Sequence, residues 1–173
     1  MEDRSTTASK VVDLRTESFD SPAAVAMTEA ANSTNQALYG HPDQSLLAPE
    51  EFSRQRRGRF LVAYLDGTPV GCGGYRRHHD DETEATAEIK RMYVDPRVRR
   101  QGVARALLFR LERDAWADGY GAIILDTGSK QHAAHALYEA SGYRRTASFG
   151  IYRDKPGNRA YLKELFAAAP VED

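Results

Sequence analysis

Arg97, Arg99, Arg100 and Arg105 stand within a nine-residue stretch that contains no acid, although the whole chain carries 24 Lys+Arg against 25 Asp+Glu. The stretch joins a β-rich segment to a helical one. At a helix start the first N–H groups have no acceptor, and the aligned peptide dipoles leave partial positive charge there. Gly102 lacks a Cβ, so a bulky anion can come close to the backbone. Together these features make a cradle for a pyrophosphate. The same residues would also serve as a solvated turn before an amphipathic helix, and charge pattern alone leaves both readings standing.

Other chemistry-bearing side chains read more plainly. His78-His79-Asp80-Asp81 could bind a metal but reads as a polar hairpin tip. His132 and His135, one turn apart, read as helix surface. The string Arg54-Gln55-Arg56-Arg57-Gly58-Arg59 could grip an acidic acceptor or RNA phosphate. It has no interleaved aromatics to stack bases, and it reads as a solvated connector. Cys72 is the only cysteine, which excludes an intrachain disulfide and a thiolate zinc site; it reads as an inert small hydrophobe. Gly71-Cys72-Gly73-Gly74 is followed by no helix and so fails the context of a phosphate loop.

The elements that position these residues follow from periodicity. Val11 to Leu14 reads as a short strand. Ser21-Pro22 offers an N-cap and a first-turn proline for a helix from Ala23 to Leu38, ended by Tyr39-Gly40-His41-Pro42. A brief second helix starts at Pro49. Phe60 to Leu65 and Val70 to Arg77 read as strands joined at Asp66-Gly67, a hairpin signal. Ala87 to Val94 is a long strand. Ala104, Leu107, Leu108, Leu111 and Ala115 form the apolar stripe of a core-facing helix that Gly119 stops. Ala122 to Leu125 is a buried strand, and Lys130 to Ser141 a helix with Gly142 at its C-terminus. Phe149 to Arg153 and Ala160 to Leu165 read as a closing strand pair. Tight turns between most neighbouring strands predict a mixed, largely antiparallel sheet of six to seven strands flanked by helices, an α/β (α+β) fold.

The chain's 173 residues suit about one domain. The expected organisation is a tail over 1–9, a single domain over 10–166 and a second tail over 167–173. A formal charge of −1 argues against a protein that coats nucleic acid through global charge. The apolar runs are too short to span a bilayer, and residues 1–9 lack the apolar stretch of a secretory signal. The expected setting is therefore the cytoplasm, with no nucleic acid and no membrane as partner.

Two motifs then break the tie over the arginine-rich turn. Glu88-Ile89-Lys90-Arg91-Met92-Tyr93-Val94 followed by Arg99-x-x-Gly102-x-Ala104 resembles the acetyl-CoA signature of the GNAT superfamily of N-acetyltransferases, [Q/R]-x-x-G-x-[G/A] after a strand. Gln131, Ala134, Leu137, Tyr138, Gly142 and Tyr143 resemble that superfamily's N-x-x-A-x-x-L-Y-x-x-x-G-[F/Y], with Gln in place of the usual Asn. The resemblance covers Val11 to Leu165 by element order and is sharp from Glu88 to Tyr143.

The resemblance implies an N-acetyltransferase that uses acetyl-CoA as co-substrate and no metal. The strand holding Glu88 to Val94 would splay from the one at Gly121 to Leu125, with the pantetheine arm in the gap. Met92, Tyr93 and Val94 would line that arm, and the Met92 N–H would stabilise the oxyanion. Arg99, Arg100, Gln101, Gly102, Val103 and Ala104 would wrap the pyrophosphate, and Gln131, Ala134 and Tyr138 would complete the cofactor site. Tyr138 is the implied general acid and Glu88 the implied base, on the expectation that strand alternation puts Glu88, Lys90, Met92 and Val94 on one side. The acceptor would be an amine of a small molecule or peptide, in a pocket drawn from Tyr39, His41, Phe52, Phe149 and Tyr152. A non-catalytic acyl-CoA sensor on the same scaffold is the alternative, and a homodimer is in keeping with the family.

Overall fold

Asp66-Gly67 is a hairpin because both residues take left-handed backbone, φ 50° and 77°, the geometry that matches the twist of two antiparallel strands. It joins β2 (Arg59–Leu65) to β3 (Thr68–Arg77). In the computed structural model, residues 10–166 are described; the tails expected at 1–9 and 167–173 lie outside them.

The remaining elements are β1 (Asp13–Thr16), α1 (Pro22–Tyr39), β4 (Thr86–Val94), α2 (Val103–Ala117), β5 (Ala122–Gly128), α3 (His132–Ala140), β6 (Arg144–Thr146) and β7 (Asn158–Glu164). The strands form one sheet in the order β1-β2-β3-β4-β5-β7-β6. Every neighbouring pair is antiparallel except β4–β5. The mixed, mostly antiparallel sheet expected from the sequence is the one observed.

Helices cover both faces. Leu107, Leu108, Leu111 and Ala115 of α2 pack with Leu61, Ile89 and Ile123 on one face, joined by Tyr138 of α3. Ala24 of α1 packs with Phe60, Val62 and Cys72 on the other. Ser21 caps α1 by accepting from the Ala24 N–H at 3.2 Å, and Gly40 closes it with φ 78°.

Three local expectations differ from the structure. The helix expected at Pro49 is two short 3-10 turns, Pro49–Phe52 and Arg54–Arg56. The first strand starts two residues later than expected, at Asp13. The largest change is in the closing pair. The partner of β7 is Arg144–Thr146, whereas Gly150–Tyr152 forms a 3-10 turn. Gly150 takes φ 58°, which breaks any strand through Phe149–Arg153. The Tyr152 hydroxyl holds that turn to Asp43 at 2.9 Å.

Candidate active site

The site begins with an irregularity in β4. Gly74 pairs with Lys90 and Cys72 with Tyr93, so Gly73 alone faces both Arg91 and Met92. This is a β-bulge, with Arg91 at φ 60°. A Cβ on Gly73 would overlap the Met92 sulfur, so the glycine makes room for the extra residue. The bulge also corrects the expectation that Glu88, Lys90, Met92 and Val94 share a side. An added residue reverses the alternation: Met92 and Val94 join Ile89 on the α2 face, while Tyr93 joins the α1 face. Glu88 and Lys90 also face the α1 side.

Next to the bulge the two parallel strands part. Pairing of β4 with β5 covers only Thr86–Glu88 against Ala122–Ile124. Beyond it β4 runs to Val94, while β5 runs to Gly128 in register with β7. From Ile89 and Leu125 onward neither strand serves the other, leaving unpaired facing backbone edges of the kind that accept an added strand.

The turn after β4 leads from this gap to the start of α2. Asp95 accepts the Arg97 N–H at 2.9 Å and also pairs with the Arg97 guanidinium, so Arg97 is neutralised. Arg99 and Arg100 are exposed. Arg100 and Gly102 take φ 63° and 80°, turning the backbone so that α2 starts at Val103. No side chain caps that start. The first hydrogen bond into the helix runs from the Ala106 N–H to Gly102 O at 3.0 Å, which leaves the N–H groups of Val103, Ala104 and Arg105 without helical acceptors. Nothing lies within 4 Å of where a Gly102 Cβ would stand.

From α3, Tyr138 is buried against Tyr143 and Tyr161, ring centroids at 5.7 and 5.8 Å. Burial, then the negative Asp126, raises its pKa above the usual phenol value. Ala134 packs against the core. The Gln131 amide donates to Asn35 of α1 at 3.2 Å, so its carboxamide is tied to a neighbouring helix. Both His135 ring nitrogens are engaged, by Tyr161 at 2.7 Å and Gly128 O at 3.1 Å.

On the α1 face of the gap lies a buried polar network. Glu88 is 4% exposed; its carboxylate meets His78 at 3.2 Å, Lys90 at 3.4 Å and Arg76 at 3.6 Å. Burial alone would raise its pKa, but these partners outweigh burial and hold it below the ordinary carboxylate range. Lys90 also approaches Asp126 of β5 at 3.7 Å. Asp126 is raised instead: burial dominates, and Glu88 and Asp43 add negative charge beside it. Asp43 pairs with Arg91 and accepts from Tyr152 at 2.9 Å.

Sequence reading missed Asp126, Lys90 and Asp43 as members of one cluster. Asp126 did carry a signal, an acid directly after the apolar run Ile123-Ile124-Leu125; Asp43 carried none. Among the expected acceptor-pocket residues, Tyr152 belongs to this network and Phe149 packs edge-on to His78 at 5.1 Å. Tyr39 instead donates its ring to the β5–α3 turn, where its hydroxyl accepts the Lys130 N–H at 3.2 Å. His41 is exposed. Phe52 is not in a pocket: it stacks on Phe19 at 4.8 Å within an aromatic core.

The model of the acetyltransferase (GNAT) family matches residues 24–143. This chain belongs to that family.

The chain spans only part of the length of the curated relatives it matches. An IAA acetyltransferase of Azospirillum brasilense is 41% identical over 98 residues, 57% of this chain and 62% of that protein. An N-acetylaspartate synthetase of Danio rerio is 37% identical over 107 residues, 62% of this chain and 37% of that protein. A crystal structure named acyl-CoA N-acyltransferase, from Klebsiella pneumoniae, superposes with TM-score 0.74 at 29% identity, covering 90% of this chain and 99% of that one. A GNAT structure from Elizabethkingia anophelis with acetyl-CoA bound shares the fold, with TM-score 0.64 at 17% identity over 89% of this chain and 98% of that one.

The residues of this GNAT chain fit acetyl-CoA. An anionic diphosphate suits free N–H groups at a helix start flanked by exposed Arg99 and Arg100, and the open space over Gly102 admits it. The parted β4–β5 edge suits an amide-bearing arm that can bond to backbone.

Proposed function

We propose that this chain is an acetyl-CoA-dependent N-acetyltransferase that moves an acetyl group to an amine of a small molecule or peptide, with both substrates bound together. The observation that carries this reading is the Arg91–Met92 bulge at the point where β4 and β5 separate. Met92 has no register partner on β3, and its N–H is the donor we assign to the acyl carbonyl oxygen. Loss of one such donor typically costs about 2.7–4 kcal/mol. Bound acetyl-CoA supplies the activated acyl group, and holding it beside the amine supplies much of the rate.

The proton transfers fall to groups on opposite faces of the sheet. Tyr138 is protonated at neutral pH as any phenol is, and it is the group we assign to protonate the departing thiolate; burial raises its pKa further, so it is a weak acid whose contribution is modest. Two carboxylates face the acceptor side, and their surroundings push their pKa values apart, the usual mark of divided acid–base roles. Glu88, held ionised by the Lys90 and Arg76 cations and by a hydrogen bond with His78, attracts the incoming ammonium. Asp126, raised above the ordinary aspartate range, is the better proton acceptor of the two. Both relatives described above are named for acetyl transfer or an acetylated product, which supports a small-molecule acceptor. A reducing cytoplasm is the setting we assign, from a single cysteine that can form no intrachain disulfide; among the described residues no helix is long and apolar enough to cross a membrane.

The test is incubation of the purified protein with acetyl-CoA and an amine library while free thiol is monitored. Thiol release that depends on an amine supports the reading. Acetyl-CoA binding with no release for any amine would instead mark an acyl-CoA sensor.

A further inference from the structure

The basic string at Arg54–Arg59 is only partly a solvated connector. Its Arg56 and Arg57 line an open depression of about 260 Å³ together with Arg76, Arg77 and His79 of the β3 end, and with Glu51 and Glu84. Four guanidinium groups thus face two carboxylates, and both carboxylates are already engaged. Glu51 pairs with Arg76 at 3.0 Å and with His79 at 2.8 Å; Glu84 pairs with Arg77. Arg56 and Arg57 meet no carboxylate among the described residues.

Arg57 is held ready rather than neutralised. Its guanidinium donates to the carbonyls of Asp118 at 3.1 Å and Glu84 at 3.2 Å, and lies 4.2 Å over the Tyr120 ring. None of these partners carries a compensating charge. The backbone that presents it is specialised as well. Arg57 and Glu84 take left-handed φ of 54° and 56°, and a Cβ on Gly58 would strike the backbone of Phe52 at 2.7 Å. Strained positions of this kind persist where the surrounding structure imposes them, often at ligand sites. Inside the cluster, the Arg76 Nε is enclosed and has no hydrogen-bond partner.

Position separates this depression from the diphosphate turn. Arg76 and Arg77 pair with Glu88 and Ala87 at the start of β4, and the turn follows its other end, about 20 Å away for six residues of strand. It adjoins the acceptor side instead: Arg76 reaches Glu51 with one nitrogen and Glu88, at 3.6 Å, with another.

We propose that this depression binds an acid group, a carboxylate or a phosphate, carried by the acyl acceptor itself or by a separate small anion. The guanidinium fork matches the geometry of either group. The acceptor source rests on the acetyl-transfer reading; the binding itself does not. The test titrates succinate and inorganic phosphate into the full chain by calorimetry, for the native protein and for R56Q/R77Q. Both replaced residues are exposed, so unfolding temperature and acetyl-CoA affinity should hold while anion affinity falls at least tenfold.

Kinetics then distinguish the sources. If the acid group is the acceptor's own, succinate competes with the amine, and kcat/KM for aspartate relative to a neutral amine falls about tenfold in R56Q/R77Q. If it is a separate anion, succinate or phosphate changes turnover without competing. No saturable binding of either probe, or binding that R56Q/R77Q leaves unchanged, overturns the proposal. Failure of the acetyl-transfer reading would show separately, as absent thiol release.

Discussion

Lys90 Nζ lies 3.7 Å from Asp126 Oδ1, two residues beyond the last backbone pairing of their strands, Glu88 with Ile124. An ion pair thus spans the mouth of the gap where main-chain hydrogen bonds have stopped. The two strands stay linked on the α1 face while their backbones remain open between them. This arrangement gives the site a buried charge network at the mouth of the gap.

Asp126→Asn tests the proton-acceptor role we assign to Asp126 apart from its effect on stability. Because burial raises the Asp126 pKa, the folded chain holds that proton more tightly than the unfolded one. Its contribution favours the fold below the ordinary aspartate range and is lost as pH rises through the raised value. A side chain that cannot ionise should therefore keep or raise the melting temperature at pH 7. With the proton acceptor gone, kcat/KM should drop by about a hundredfold. Melting curves and initial rates at matched pH check this; full activity in a stable variant would remove Asp126 from the proton path.

Glu88→Gln should behave in the opposite sense. The Glu88 pKa is lowered, so its contribution is present above the unfolded value and disappears as pH falls through the folded one. Removing its charge leaves Arg76, His78 and Lys90 short of a buried partner, a change that typically costs about 3–5 kcal/mol. Urea unfolding at pH 7 should show the loss. Between neutral and acidic pH the variant's stability should also vary less than the native protein's.

Gly102→Val probes the diphosphate turn. At φ 80° a side chain costs about 1–2 kcal/mol, and nothing in the fold obstructs the new Cβ. The added atoms stand in the space over the free N–H groups of α2. Acetyl-CoA affinity should fall more than stability does, by tenfold or more in calorimetry (about 1.4 kcal/mol for each factor of ten). Unchanged affinity would move the diphosphate elsewhere.

Tyr138→Phe keeps the ring packing against Tyr143 and Tyr161 and deletes only the hydroxyl. Acetyl-CoA affinity should hold while kcat falls, by about a hundredfold, the lower end for a general acid. Since the phenol is raised above its usual value of about 10, Tyr138 should impose no alkaline limb on the rate profile below that pH. Native turnover in this variant would leave thiolate protonation to solvent.

Features governed by near neighbours were legible in the residues alone. Ser21-Pro22 caps α1, Asp66-Gly67 turns the hairpin and Gly102 opens α2 because each depends on backbone conformation within a few positions. The stripe from Leu107 to Ala115 likewise declares a buried helix face. The two motifs around Gly102 and Tyr138 marked the family for the same reason: their spacing is local.

What the tertiary structure alone decided depends on partners distant in the chain. The bulge at Arg91 has no mark of its own, since a left-handed arginine looks like any other until Gly73 is set against it. That one extra residue sent Met92 to the face opposite Glu88, against simple alternation. Phe149–Arg153 has strand-forming residues, yet the hydroxyl of Tyr152 finds Asp43 and the segment turns. Whether Asp126 rises or Glu88 falls in pKa is set by burial and by which charges the fold brings within 4 Å. Periodicity reports which face a residue prefers; only packing determines what waits there.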